Sequence, residues 1–178
     1  MVNIAGGTNE GPIDLSDLQG LTVPLPALRG HFATLITLGS EALARTASDV
    51  SFVHVYPGTV RTPLFDRSHT PIPTPGVEVP IEESGERNVF LSTSEAFPAQ
   101  IGQERDAHVV TLTQGLTPAR GTDGQTGSGV YSVRYDGSEA GQNVIQLLEK
   151  HRADGMVEML WDNAMSETEK ILQDPGLN

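Results

Sequence analysis

The chain has 178 residues, no cysteine, and a net charge of -12 from 23 Asp and Glu against 11 Lys and Arg. That length suits one domain, residues 1–178, with area enough for a core. The composition excludes a disulfide framework and thiolate chemistry, and it argues against nucleic acid and anionic membranes, which need clustered Lys and Arg.

No stretch couples a basic flank to an apolar core as a signal peptide does. No apolar run approaches the ~18 residues of a spanning helix, so a cytoplasmic setting is expected. "MVNIA", residues 1–5, reads as a short strand broken by Gly6-Gly7. Residues 8–28 read as a loop, with Asp14, Asp17, Pro24 and Pro26 as turn formers. From Gly30 to Ala47, Phe32, Leu35, Ile36, Gly39, Ala42 and Leu43 share one face, which predicts a helix. Val50 to Tyr56 is nearly continuous apolar, as in a strand buried on both faces of a parallel sheet. "DRSHTPIPTPGVEVP", residues 66–80, carries four prolines and predicts a loop of polyproline character. Glu82 to Ala96 predicts a helix, whose early Glu82, Glu83 and Glu86 suit the positive end of its dipole. "QGLTPARGTDGQTGS", residues 114–128, predicts a second, mobile loop. "GVYSVRY", residues 129–135, alternates like a strand. Ser138 is expected to cap a helix running to Arg152, with Val144, Leu147, Leu148 and His151 on one face. After Gly155 a last helix is expected to reach about Leu172, with Val157, Leu160, Trp161, Ala164, Thr168 and Ile171 along it. Helix followed by buried strand predicts an α/β fold.

The most informative stretch is "FVHVYPGTVRTPLF", residues 52–65, where a strand ends in Pro-Gly and then Thr-Val-Arg-Thr-Pro. Strand, helix, strand, then Pro-Gly-x-Val-x-Thr resembles the second half of the short-chain dehydrogenase/reductase family. "GPIDLSDLQG", "GHFATLITLGSEALA", "PIEESGERNVFLSTSEAFP", "GVYSVRYDG" and "RADGMVEMLWDNAM" extend that likeness over most of the chain. Together they resemble a fungal branch in which many members serve secondary-metabolite pathways. The resemblance implies a Rossmann-like, doubly wound parallel sheet and a cofactor, NADP or NAD. It implies that Pro57, Gly58, Thr59, Val60 and Thr62 border the nicotinamide end.

The departures from that family shape the functional expectation. Its cofactor fingerprint is a Gly-rich turn that opens a helix and holds the pyrophosphate. "GGTNEG", residues 6–11, is followed by no helical pattern. The chain therefore reads as beginning at the family's fifth strand, a partial sheet lacking the N-terminal cofactor-binding strands. The family's catalytic Ser, Tyr and Lys are not matched: the strand ends in Ala5-Gly6, and counting back from Glu41 puts Pro24 and Leu28 at the Tyr and Lys positions. Arg29 and His31 lie nearby, but an arginine cannot give up its proton as that lysine does. His31 reads as a polar residue near a helix start, and His54 as a packed histidine beside Phe52 and Tyr56. Asp14, Asp17, Glu78, Glu82, Glu83 and Glu86 read as solvated carboxylates rather than a metal site. The expectation is a truncated homologue that does not transfer hydride alone. The alternatives are an oxidoreductase acting on a small-molecule carbonyl or alcohol once a missing half is supplied, and a non-redox isomerase, cyclase or binding protein. A sheet cut at residues 1–5 leaves an open edge, so self-association or a partner chain is expected there.

Overall fold

The computed structural model describes residues 1–63, 67, 78–100, 115 and 117–173. In chain order the elements are β1 (Val2–Ile4), α1 (Leu25–Thr46), β2 (Phe52–Val55), β3 (Thr59–Val60), β4 (Glu78–Val79), α2 (Ile81–Thr93), β5 (Val130–Val133), α3 (Gln142–Ala153) and α4 (Met156–Gln173). The fold is α/β and partially Rossmann-like. A parallel sheet of order β1-β2-β5 is covered by helices on both faces.

The alternation of β2 assigns the two faces. Val53 and Val55 join Tyr131 and Val133 of β5 in a core closed by Leu91 of α2 and by Ala96, Phe97 and Ala119. On the opposite face Phe52 and Val130 pack against Ala44 of α1. Behind α1, Leu38 and Ala42 meet Val144, Ile145 and Leu148 of α3 and Val157 of α4. All four residues of β2 and of β5 are buried, which is why both runs are mostly apolar, with His54 and Ser132 the polar exceptions.

Several boundaries differ from the sequence expectation. α1 starts at Leu25 rather than near Gly30, because Pro24 sits at the N-cap and Pro26 in the first turn. There a proline's missing N–H costs nothing, so two residues that look like loop markers open the helix. The run 66–80 is not loop to its end: Glu78 and Val79 form β4, which pairs in parallel with Thr59 and Val60. The rest of that run, apart from Arg67 and Pro80, lies outside the described residues, as do Gln114 and Leu116 of the second loop. In the second loop, residues 117–128 are bound down rather than mobile. Gly121 N–H donates to Gln125 O, Thr122 N–H to Val130 O, and Gly127 N–H to Ala119 O. Ser138 does not cap α3, whose N-cap is Gly141. Its N–H and hydroxyl instead donate to Asp136 Oδ1 and close the turn after β5. In α4 only Val157 is buried, so Thr168 and Ile171 do not continue the packed stripe.

Candidate functional site

Parallel strands deliver their carboxyl ends to one rim, the usual ligand edge of an open α/β sheet. Here that rim carries a row of cations and aromatic rings. Arg29, in the first turns of α1, lies 5.4 Å from the centre of the Tyr56 ring just beyond β2. Tyr56 meets Tyr135 edge to face at 6.5 Å. Arg87 of α2 and Arg134 lie 5.8 and 5.2 Å from the centre of the Tyr135 ring. Arg87 is committed further, donating to the Tyr135 carbonyl and to Glu83. Arg134 and Arg29 make no side-chain hydrogen bond or ion pair among the described residues. Next to this row, α2 and the carboxyl ends of β2 and β5 enclose a cleft of about 370 Å³. Pro57, Arg87, Asn88, Leu91, Arg134 and Tyr135 are among its walls.

A second cluster lies under the rim, on the α1 face of the sheet, and is fully buried. Glu10 projects inward from the segment after β1, with its side chain and that of His54 shut off from solvent. Gly6 N–H donates to His54 Nε2 at 3.0 Å, so the imidazole proton sits on Nδ1. Nδ1 then donates to Thr37 Oγ1 at 2.8 Å, and Thr37 donates to Glu10 Oε1 at 2.8 Å. From the other side Thr8 N–H donates to Ser132 Oγ at 2.7 Å, and Ser132 donates to the same Oε1 at 2.6 Å. Glu10 Oε2 is buried without a hydrogen-bond partner. Burial pushes the Glu10 carboxyl up, against the pull of Ser132 and Thr37. Burial pushes the His54 imidazole down to about 4. A protonated ring would also point an Nε2–H at the Gly6 N–H, donor against donor. The cluster is a brace between the 6–11 segment, α1, β2 and β5.

The predicted site residues divide. Pro57 stands on the wall of the cleft. Gly58 has φ of 78°, and a Cβ there would lie 2.9 Å from Val79 and 3.3 Å from Tyr135, so packing accounts for the glycine. Thr59 is buried in β3, Val60 follows it, and Thr62 is half-buried beyond the strand. His54 is a packed histidine, as its alternation predicts, and its tie through Thr37 to Glu10 has no local sequence signature. His31 is fully buried: Nδ1 accepts from Asp14 N–H and Nε2 donates to Leu18 O, which pins residues 14–18 on α1. Asp17 spends its carboxylate on the hydroxyl and N–H of Thr22 and on the N–H groups of Leu21 and Val23, which lowers it to about 2. Asp14 is likewise held low, mainly by the Ser16 hydroxyl. Pro24 caps α1 and Leu28 lies in its early turns, so no phenol–ammonium pair forms at the positions where the resemblance would put one.

A dinucleotide needs more than these residues offer. A Cβ on Gly7 would lie 2.3 Å from His54 O, so the space at that glycine holds the chain's own backbone and leaves none for a phosphate. No helix of eight or more residues begins within 6–11, and α1 opens at Leu25. The described residues therefore leave the pyrophosphate of such a cofactor uncradled.

The rim row and the cluster under it escaped the sequence reading. Arg29, Tyr56, Arg87, Arg134 and Tyr135 come from separate elements and share no local pattern. The one available signal for Glu10 was an acidic residue three positions after the Gly6-Gly7 break. No family model matches the chain, and no solved structure matches it. Three curated fungal proteins do. The oxidoreductase andH of Emericella variicolor is 29% identical over 96% of this chain and 52% of its own length. An oxidoreductase of Emericella nidulans is 31% identical over 93% of this chain and 52% of its own. The NmrA-like family domain-containing oxidoreductase notO of an Aspergillus species is 28% identical over 90% of this chain and 46% of its own. The chain is thus similar, along nearly all of its residues, to about half the length of these fungal oxidoreductases.

Proposed function

We propose that this chain is an oxidoreductase-type α/β unit of the short-chain dehydrogenase/reductase kind, serving a secondary-metabolite pathway. It supplies the nicotinamide side of an NADP or NAD site for a small-molecule carbonyl or alcohol. The observation that carries the reading is the likeness to half of three fungal oxidoreductases, placed on a parallel sheet whose carboxyl rim presents Pro57. In such a site Pro57, Gly58, Thr59, Val60 and Thr62 would border the nicotinamide, and the bound cofactor would supply or accept the hydride. The chain does not transfer hydride alone, because the pyrophosphate cradle and the phenol–ammonium pair are missing among the described residues.

The nucleotide-binding half joins along β1. Among the described residues β1 pairs only with β2. Its other edge runs beside an apolar surface of Ile4, Ile36, Leu43 and Trp161, with Ile4 59% exposed. An unpaired parallel edge next to apolar side chains favours one more strand with its covering helix.

The test mixes the purified chain with the half of the Emericella nidulans relative that it does not match and measures thermal unfolding with NADPH and NADH. The mixture should form one complex that a nucleotide at 100 times its Kd stabilises by about 2.7 kcal/mol. The chain alone should show no nucleotide shift. A mixture that neither associates nor responds sinks the proposal.

A further inference from the structure

We propose that the cleft between α2, β2 and β5 binds hydrophobic monocarboxylates, with the acid held by Arg134. The cleft's inner wall is apolar, built from Val55, Pro57, Phe90 and Leu91. Its volume, about 370 Å³, lies at the small end of ligand sites. Arg134 stands at its rim and is exposed, and among the described residues its side chain has no hydrogen bond or ion pair. The Tyr135 ring, 5.2 Å from its guanidinium carbon, restrains the side chain there and costs it no donor. Tyr135 thus acts as a positioning residue. All the Arg134 guanidinium donors remain available, and a fork of N–H groups matches a carboxylate in two hydrogen bonds.

Two features narrow the ligand to a single charge. Glu86 and Asp136 also border the cleft, so a dianion such as a phosphate monoester meets repulsion. Asp136 accepts from Ser138 and attracts Arg134 only at a distance, without an ion pair, and the Arg87 guanidinium is taken by Glu83 and the Tyr135 carbonyl, so Arg134 is left as the anion anchor. The cleft therefore suits an apolar acid with one negative charge. This assignment rests on the cleft's own residues and does not depend on nucleotide binding.

The test titrates the full ¹⁵N-labelled chain, without nucleotide, with 2-naphthoate and with its neutral counterpart 2-naphthamide. Naphthoate should shift the amides of residues 84–91 and 134–137 and bind about tenfold tighter than the amide, as expected for a charge-assisted hydrogen-bonded contact. Arg134→Gln, an exposed change that leaves the fold intact, should erase that preference while naphthamide affinity stays unchanged. Equal affinity for the two probes would overturn the assignment. So would a preference that survives Arg134→Gln, shifts centred elsewhere, or no shifts at millimolar probe.

Discussion

A methyl group on Gly7 would lie 2.3 Å from the His54 carbonyl oxygen and 2.7 Å from that of Val133. Both obstacles are backbone of buried strands and neither can swing aside. Gly7→Ala should therefore cost about 3 kcal/mol or more, read as a lowered urea midpoint or loss of folded protein. Glu10 and His54 set opposing pH dependences. The Glu10 carboxyl is raised above its ordinary 4.5, so the folded state holds that proton more tightly than the unfolded chain. Its stabilisation is full below pH 4.5 and is lost as pH rises through the raised value. His54 is lowered from 6.5 to about 4, so its stabilisation is full above pH 6.5 and is lost as pH falls through about 4. Glu10→Gln keeps an oxygen acceptor for Thr37 and Ser132 and removes the buried charge. Melting temperatures from pH 4 to 9 should show the variant losing the alkaline-side decline and keeping the acid-side one. Parallel curves for variant and parent would show that Glu10 does not set that slope.

Between elements, one ion pair fastens α1 to α3 and to the turn before β5. Arg152 donates to Glu41 Oε1 at 2.8 Å, Thr122 Oγ1 donates to the same oxygen at 2.7 Å, and Arg152 reaches back to Thr122 O at 3.4 Å. Both charged side chains are mostly buried, 23% and 11% exposed. Glu41→Ala strands a guanidinium and a hydroxyl together and should cost about 2 kcal/mol in a denaturant titration. The exposed Arg45–Glu158 pair is a useful contrast, since Glu158→Ala should leave the denaturation midpoint nearly unmoved. Elements with a clear period were legible in the sequence: α1 by its apolar face, β2 by its unbroken run, α4 by its first turns. β3 and β4 were not, because two residues carry no periodicity. The start of α1 was hidden by Pro24 and Pro26, which mark a helix entry as readily as a loop. The turn after β5 was misjudged because the Ser138 side chain could accept from a helix N–H or donate to Asp136, and Asp136, two residues back, won.

At the scale of the molecule, sheet order decides what a linear reading can see. The turn at Pro57-Gly58 was legible because strand and turn are contiguous. Arg29, Arg87 and Arg134 were not, because only the order β1-β2-β5 and the two helix layers bring them to one rim. The free edge of β1 belongs to this scale as well. Without a partner the chain should self-associate through it, and sedimentation velocity should show a concentration-dependent dimer or larger species. Ile4→Lys places a charge beside that edge and should return the chain to a monomer. A monodisperse parent at high concentration would remove the case for an active edge.

The brace under the rim also sets a local clock. The Gly6 and Thr8 amide protons end on side chains of β2 and β5 rather than on a strand ladder. Their exchange with deuterated solvent is then gated by separation of Glu10, Thr37, His54 and Ser132, a smaller event than opening the sheet. These two amides should exchange together, sooner than those inside β2, and should quicken in step when the Glu10 carboxylate loses either hydroxyl. The first ten residues thus report, through two protons, on whether α1 is seated.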